Sequence, residues 1–81
     1  MPKAIVVPST TATVGANAII SYTCSLILPT NRSYSSDFTA DTAQSLAANL
    51  VNWKAKIIAE AATMGSPGMV QADVIIFGAP S

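Results

Sequence analysis

Eighty-one residues, with four cations balanced by four anions, one cysteine and no histidine, make one modest core. They exclude an internal disulfide, a zinc-type ligand set and the usual general base at neutral pH. Charged residues are only 10% of the chain, against roughly 25% in ordinary soluble domains, so no basic stripe exists for nucleic acid and no apolar run is long enough for a membrane span.

In chain order, residues 4–7 (Ala-Ile-Val-Val) are apolar and largely β-branched. Pro2 and Pro8 flank them and lack the amide donors that a ladder needs. The range 1–16 is therefore expected to be an edge strand or an N-terminal arm, open to swapping into a neighbouring copy. Residues 9–14 alternate weakly, and residues 15–17 (Gly-Ala-Asn) read as a turn. From residue 17 to 28 one parity carries Ile20, Tyr22, Cys24, Leu26 and Leu28, which predicts a strand buried on one face. Pro29 ends it, and the polar range 29–40, which holds Tyr34 and Phe38, reads as loop.

A helix is predicted over residues 41–64. Asp41 with Gln44 has capping-box spacing, with Thr39 as a competing cap. Ala43, Leu46, Ala47, Leu50, Trp53, Ile57, Ala61 and Met64 recur at three- and four-residue steps, and Val51 and Ile58 widen that stripe toward a sheet. Gly65 followed by Pro67 is a stop. Residues 69–77 return to strand, and Ile75-Ile76-Phe77, apolar on both parities, predicts a central strand covered on both faces. Residues 78–81 close the chain. The fold class is a single α+β domain over residues 1–81: a small β-β-α-β arrangement, mostly antiparallel, with one long amphipathic helix packed on the sheet.

On a helical wheel, Thr42, Ser45, Asn49, Asn52, Lys56, Glu60 and Thr63 form a face expected to see water. Ala48, Ala55, Ala59 and Ala62 form a strip of small side chains able to seat a second helix. With Ile5 and Val7 of the first strand, these are the candidate interface residues. Lys54 falls inside the apolar stripe, where its stem can lie along apolar surface while the ammonium reaches water. Asp73 is its candidate ion-pair partner. Cys24, mid-strand on the apolar face, reads as a small hydrophobe.

No catalytic residue, metal ligand or cofactor is expected, nor is an enzyme. The expected partner is a second copy of the chain, and beyond it a larger protein shell, with neither nucleic acid nor membrane. The start Met1-Pro2-Lys3-Ala4 lacks the pattern of a signal peptide, so synthesis in a cytoplasm is expected. The functional expectation is a homo-oligomeric structural or assembly protein, and more finely a small virion component such as a minor capsid or decoration protein. A small ligand-binding or regulatory oligomeric module is the alternative.

Overall fold

The computed structural model describes residues 3–15, 17–27 and 30–77; Met1, Pro2, Ala16, Leu28, Pro29 and residues 78–81 lie outside them. Strand β1 (Lys3–Val14) and β2 (Asn17–Ile27) form an antiparallel hairpin. Val14 faces Asn17 across a tight turn, where Gly15 takes a positive φ of 62°; glycine adopts that conformation without a Cβ clash. Strand β3 (Ser33–Asp41) adds antiparallel to β2, and the short β4 (Val74–Ile76) adds parallel to β1. The sheet order is β3-β2-β1-β4, and one helix, α1 (Leu46–Thr63), packs on it. The fold is therefore the expected α+β class with a mostly antiparallel sheet, and it carries one strand more than the β-β-α-β reading.

That extra strand, β3, replaces the loop assigned to residues 29–40. Its inward parity holds Tyr34, Ser36, Phe38 and Ala40, while Ser33, Ser35, Asp37 and Thr39 are exposed. The edge-strand reading of residues 1–16 is corrected for the first half of β1, while beyond Val6 the strand has no β4 partner and lies at the sheet edge. The first half of β1 lies between β2 and β4, and Ala4 and Val6 are fully buried. Pro8 is tolerated because β4 pairs only with Ala4, Ile5 and Val6. The Val6 carbonyl accepts from the Phe77 amide, and backbone groups alternate sides along a strand. Pro8, two residues on, therefore presents its missing donor to the edge that β4 has already left. Just beyond Pro8 the register shifts at a bulge, which sets Thr11 opposite Ile20.

The predicted central strand is likewise corrected. β4 is an edge strand, covered on one face only, with Val74 buried and Ile75 40% exposed on the other side. Strand β2 follows its predicted parity: Ile20, Tyr22, Cys24 and Leu26 are all buried.

The helix begins later than predicted. Ser45, not Asp41 or Thr39, is the N-cap, with its Oγ accepting from the Ala48 amide at 3.2 Å. Asp41 instead ends β3 and shapes the turn, accepting from the Ala43 amide through its carboxylate and from the Gln44 amide through its carbonyl. At the other end the predicted stop holds. Gly65 has φ 96°, and the Ser66 amide donates to the Ala61 carbonyl, closing the last turn. A Cβ at Gly65 would also lie 2.9 Å from Thr30 Cγ2.

Of the predicted apolar stripe, Trp53, Ile57 and Ala61 are buried, and Leu50, Ile58 and Met64 pack partly against the core. Ala43, Leu46, Ala47 and Val51 are exposed. Trp53 is the centre of the contact: its ring stacks on Phe38 at 5.6 Å and meets Tyr22 edge-on at 5.4 Å. Replacing Trp53 with alanine should cost about 3–5 kcal/mol, the range for a fully buried aromatic, and chemical denaturation followed by far-UV circular dichroism measures it. A midpoint near that of the unaltered chain would contradict this packing.

Candidate functional site

Because α1 covers one face of the sheet, the other face carries no helix or strand among the described residues. Its two halves differ in chemistry. Across β2 and β3 it is a ladder of hydroxyls: Thr23 and Ser35 meet at 3.3 Å, and Ser21 donates to Asp37 at 2.8 Å. Across β1 and β4 it is apolar. Ile5 pairs with Ile75 in register, Val7 is 54% exposed, and Phe77, whose amide continues the pairing, is 56% exposed. Ile27 extends this patch opposite Lys3.

On the covered face, the side of the helix toward β3 is polar and closed. Glu60 accepts from the Tyr22 hydroxyl at 2.6 Å and from the Ser36 hydroxyl at 2.7 Å, using a different oxygen for each. Lys56 stands 3.8 Å from the same carboxylate, donates to Ser36 at 3.2 Å and to the Asp37 carbonyl, and lies over the Tyr22 ring. Further along, Asn49 accepts from the Asp41 amide and donates to the Asp41 and Ser45 carbonyls. These residues clamp the helix to β2 and β3; Asn49, Lys56 and Glu60, expected to face water, are half-buried instead.

Between the first turns of α1 and the hairpin end of the sheet lies a cavity of about 160 Å³. Its sheet floor includes Ala18 and Ala40, which are cross-strand partners, and its walls include Phe38, Trp53 and Leu50. Two alanines where neighbouring positions hold Ile20 and Phe38 leave the helix unsupported there. Leu46, 43% exposed, stands at the rim.

The sequence-predicted residues are dispersed over these features. Ile5 and Val7 share the open sheet face. Ala55, Ala59 and Ala62 lie exposed on the outer side of the helix beside Val51, and Ala48 is half-buried. Lys54 does not pair with Asp73: the Asp73 carboxylate, buried, accepts from the Val70 amide at 3.1 Å. Lys54 is half-buried and forms no ion pair among the described residues; there the ion pair is Lys56 with Glu60. Sequence reasoning missed Glu60 as the shared acceptor of Tyr22 and Ser36, although the alternation of Tyr34, Ser36 and Phe38 carried the signal for the strand. No protein-family model, curated protein or solved structure matches this chain. No helix among the described residues is long and apolar enough to cross a membrane.

Burial sets the titration of the core. Tyr22 is held above the ordinary tyrosine value of 10.0, first by burial and then by its hydrogen bond to Glu60. Tyr34 is raised first by burial and then by the adjacent Cys24. The Cys24 thiol is itself pushed up from 9.0 by burial, with the Tyr34 hydroxyl offsetting part of the rise. A raised value means that the folded chain keeps protons the unfolded chain releases. The stabilisation is thus complete below the unfolded values and is lost as pH rises past them. The melting temperature should fall above about pH 10, the ordinary tyrosine range, and Tyr34→Phe should make the fall shallower. A melting temperature that stays level through that range would contradict the assignment.

Proposed function

We propose that this chain is a homo-oligomeric structural or assembly subunit, and that the open face of its sheet is the contact surface. The observation that supports this most is the apolar half of that face, where Val7, Ile75, Phe77 and Ile27 are exposed together. Contiguous exposed apolar surface of this kind marks association sites. A chain of 81 residues also has a modest core of its own, and without a disulfide it gains most from burying further surface against a partner.

The occupant proposed for the face is a second copy. Four cations against four anions leave no net charge to drive copies apart, and on this face Lys3 and Asp37 supply one charge of each sign. The outer strip of the helix, with Ala55, Ala59, Ala62 and Val51, offers a different contact. Two unlike contacts per chain generate rings or lattices rather than closed pairs. The finer reading, a minor capsid or decoration protein built onto a larger shell, rests on the same scarcity of charge and on the Ser, Thr and Ala surface.

Sedimentation velocity and native mass spectrometry at low micromolar concentration test the proposal. An oligomer is expected, with a melting temperature that rises with protein concentration. Val7→Lys and Ile75→Lys, both outward-facing, should give folded monomers. A monomer with a concentration-independent melt in the unaltered chain would overturn the assembly reading.

A further inference from the structure

We infer that the outer edge of β1 beyond Pro8 is a strand-pairing site for a second copy of this chain, with the two β1 strands antiparallel about Ala12. This pairing rests on the assembly reading and is a contact separate from the open face. The edges of the sheet are not alike. The Leu26 amide donates to the Arg32 carbonyl, so the even-numbered residues of β2 and, by the register, of β3 direct their backbone groups at each other. The odd-numbered residues of β3 direct theirs outward. There α1 guards the edge. Asn49 takes both outward groups of Asp41, accepting from its amide at 2.8 Å and donating to its carbonyl at 2.8 Å, and Lys56 donates to the Asp37 carbonyl. Strand β4 presents an edge of only 3 residues. Short strands and covered or charged edges are the ordinary devices against strand addition.

The second half of β1 has none of these devices. Odd-numbered residues of β2 face β1, so past the bulge Asn17, Ile19 and Ser21 pair their backbone groups with Val14, Ala12 and Thr10. Thr11 and Thr13 alternate with these, and each directs an amide and a carbonyl outward, where no strand among the described residues reaches. The side chains of Thr11, Ala12 and Thr13 are exposed and uncharged, so they set no charge against a copy of themselves. The outward set is self-complementary in one register. With Ala12 opposite its own copy, Thr11 meets Thr13 and Thr13 meets Thr11, and two amides and two carbonyls on each strand close four hydrogen bonds. Centring the pair on Thr11 or Thr13 instead would set an outward group against the bulge at Ser9 or the turn at Gly15. Pro8 falls beyond the partner's Val14, so its missing donor loses no bond. Main-chain pairing of this kind is a general route by which sheets add strands from other chains. Four backbone bonds make a contact well below the size of a stable interface, so the edge holds where the open faces are also joined. Two isologous contacts per chain then build tetramers or open arrays.

Amide hydrogen exchange in the full ¹⁵N-labelled protein, read beside sedimentation velocity, tests the edge. Thr10 and Ala12, whose amides face β2, report on the hairpin alone, while Thr11 and Thr13 report on the edge. In the assembled protein Thr11 and Thr13 are expected to exchange as slowly as Thr10 and Ala12. Thr13→Pro removes one outward donor and no bond within the hairpin. It should keep a cooperative melt, lose the slow exchange at Thr11 and stop assembly at the open-face pair. Should that variant fail to fold, Ala12→Lys, which sets two ammonium groups opposite each other on the axis, should give the same two losses. Fast exchange at Thr11 and Thr13 in a protein that still oligomerises would overturn the edge pairing and leave the open face standing. So would a folded Thr13→Pro or Ala12→Lys variant that assembles and exchanges as the unaltered chain does. A monomer at every concentration would overturn the assembly reading and the edge pairing with it.

Discussion

The seat of Trp53 between Phe38 and Tyr22 is the contact on which the rest of the arrangement depends. It joins three elements at once: β2 through Tyr22, β3 through Phe38, and α1 through Trp53 itself. Aromatic pairs in stacked and edge-on geometry add direction to apolar burial, and here the direction fixes the roll of the helix about its axis. With Trp53, Ile57 and Ala61 turned inward, Glu60 is carried to the Tyr22 hydroxyl and Lys56 to Ser36. The polar seam is thus a consequence of the aromatic seat. Tyr22 takes part in both, its ring against Trp53 and its hydroxyl on Glu60.

The same roll determines what is left uncovered. One helix can cover only part of one sheet face, and it is centred by Trp53. Its first turns overhang the hairpin end, where Ala18 and Ala40 are too small to meet it, and the cavity follows. The opposite sheet face carries no second layer among the described residues. Natural sheets exposed on one side usually alternate apolar inward and polar outward. Strand β3 and the middle of β2 obey that rule with their hydroxyl ladder, while β1, β4 and the end of β2 break it at Val7, Ile75, Phe77 and Ile27. The break is confined to one half of the face, and a surface ordinary in its other half gives that confinement its meaning.

The parts of this fold legible in the sequence are those set by local periodicity. Strand β2 shows a clean period of two because one side of it is buried from Ile20 to Leu26. The end of α1 was legible because Gly65 satisfies a backbone requirement that other residues meet at a cost. What the sequence hid depends on tertiary neighbours. Strand β3 is polar in composition because its outward side is all Ser, Asp and Thr and its inward Ser36 pairs with a carboxylate. Composition therefore spoke for loop while the alternation of Tyr34 and Phe38 spoke for strand. The early helix start came from Asp41, whose carboxylate caps a turn as readily as a helix. Ile75, Ile76 and Phe77 looked fully buried because an apolar run cannot say whether its second face meets the same chain or another surface. The cavity was illegible for a plainer reason: it is missing volume, created by two alanines that only the register brings together.

Strand β1 links the two candidate surfaces and also keeps them apart. Before its bulge, Ile5 and Val7 point to the open face while Ala4 and Val6 point to the helix. After it, the shifted register sets Thr11 opposite Ile20, on the cavity side. The bulge thus re-aims one strand so that its first half serves the open face and its second half serves the cavity. A partner seated on Val7, Ile75 and Phe77 would meet the sheet on the side away from the helix, leaving the rim at Leu46 and Thr11 outside the contact.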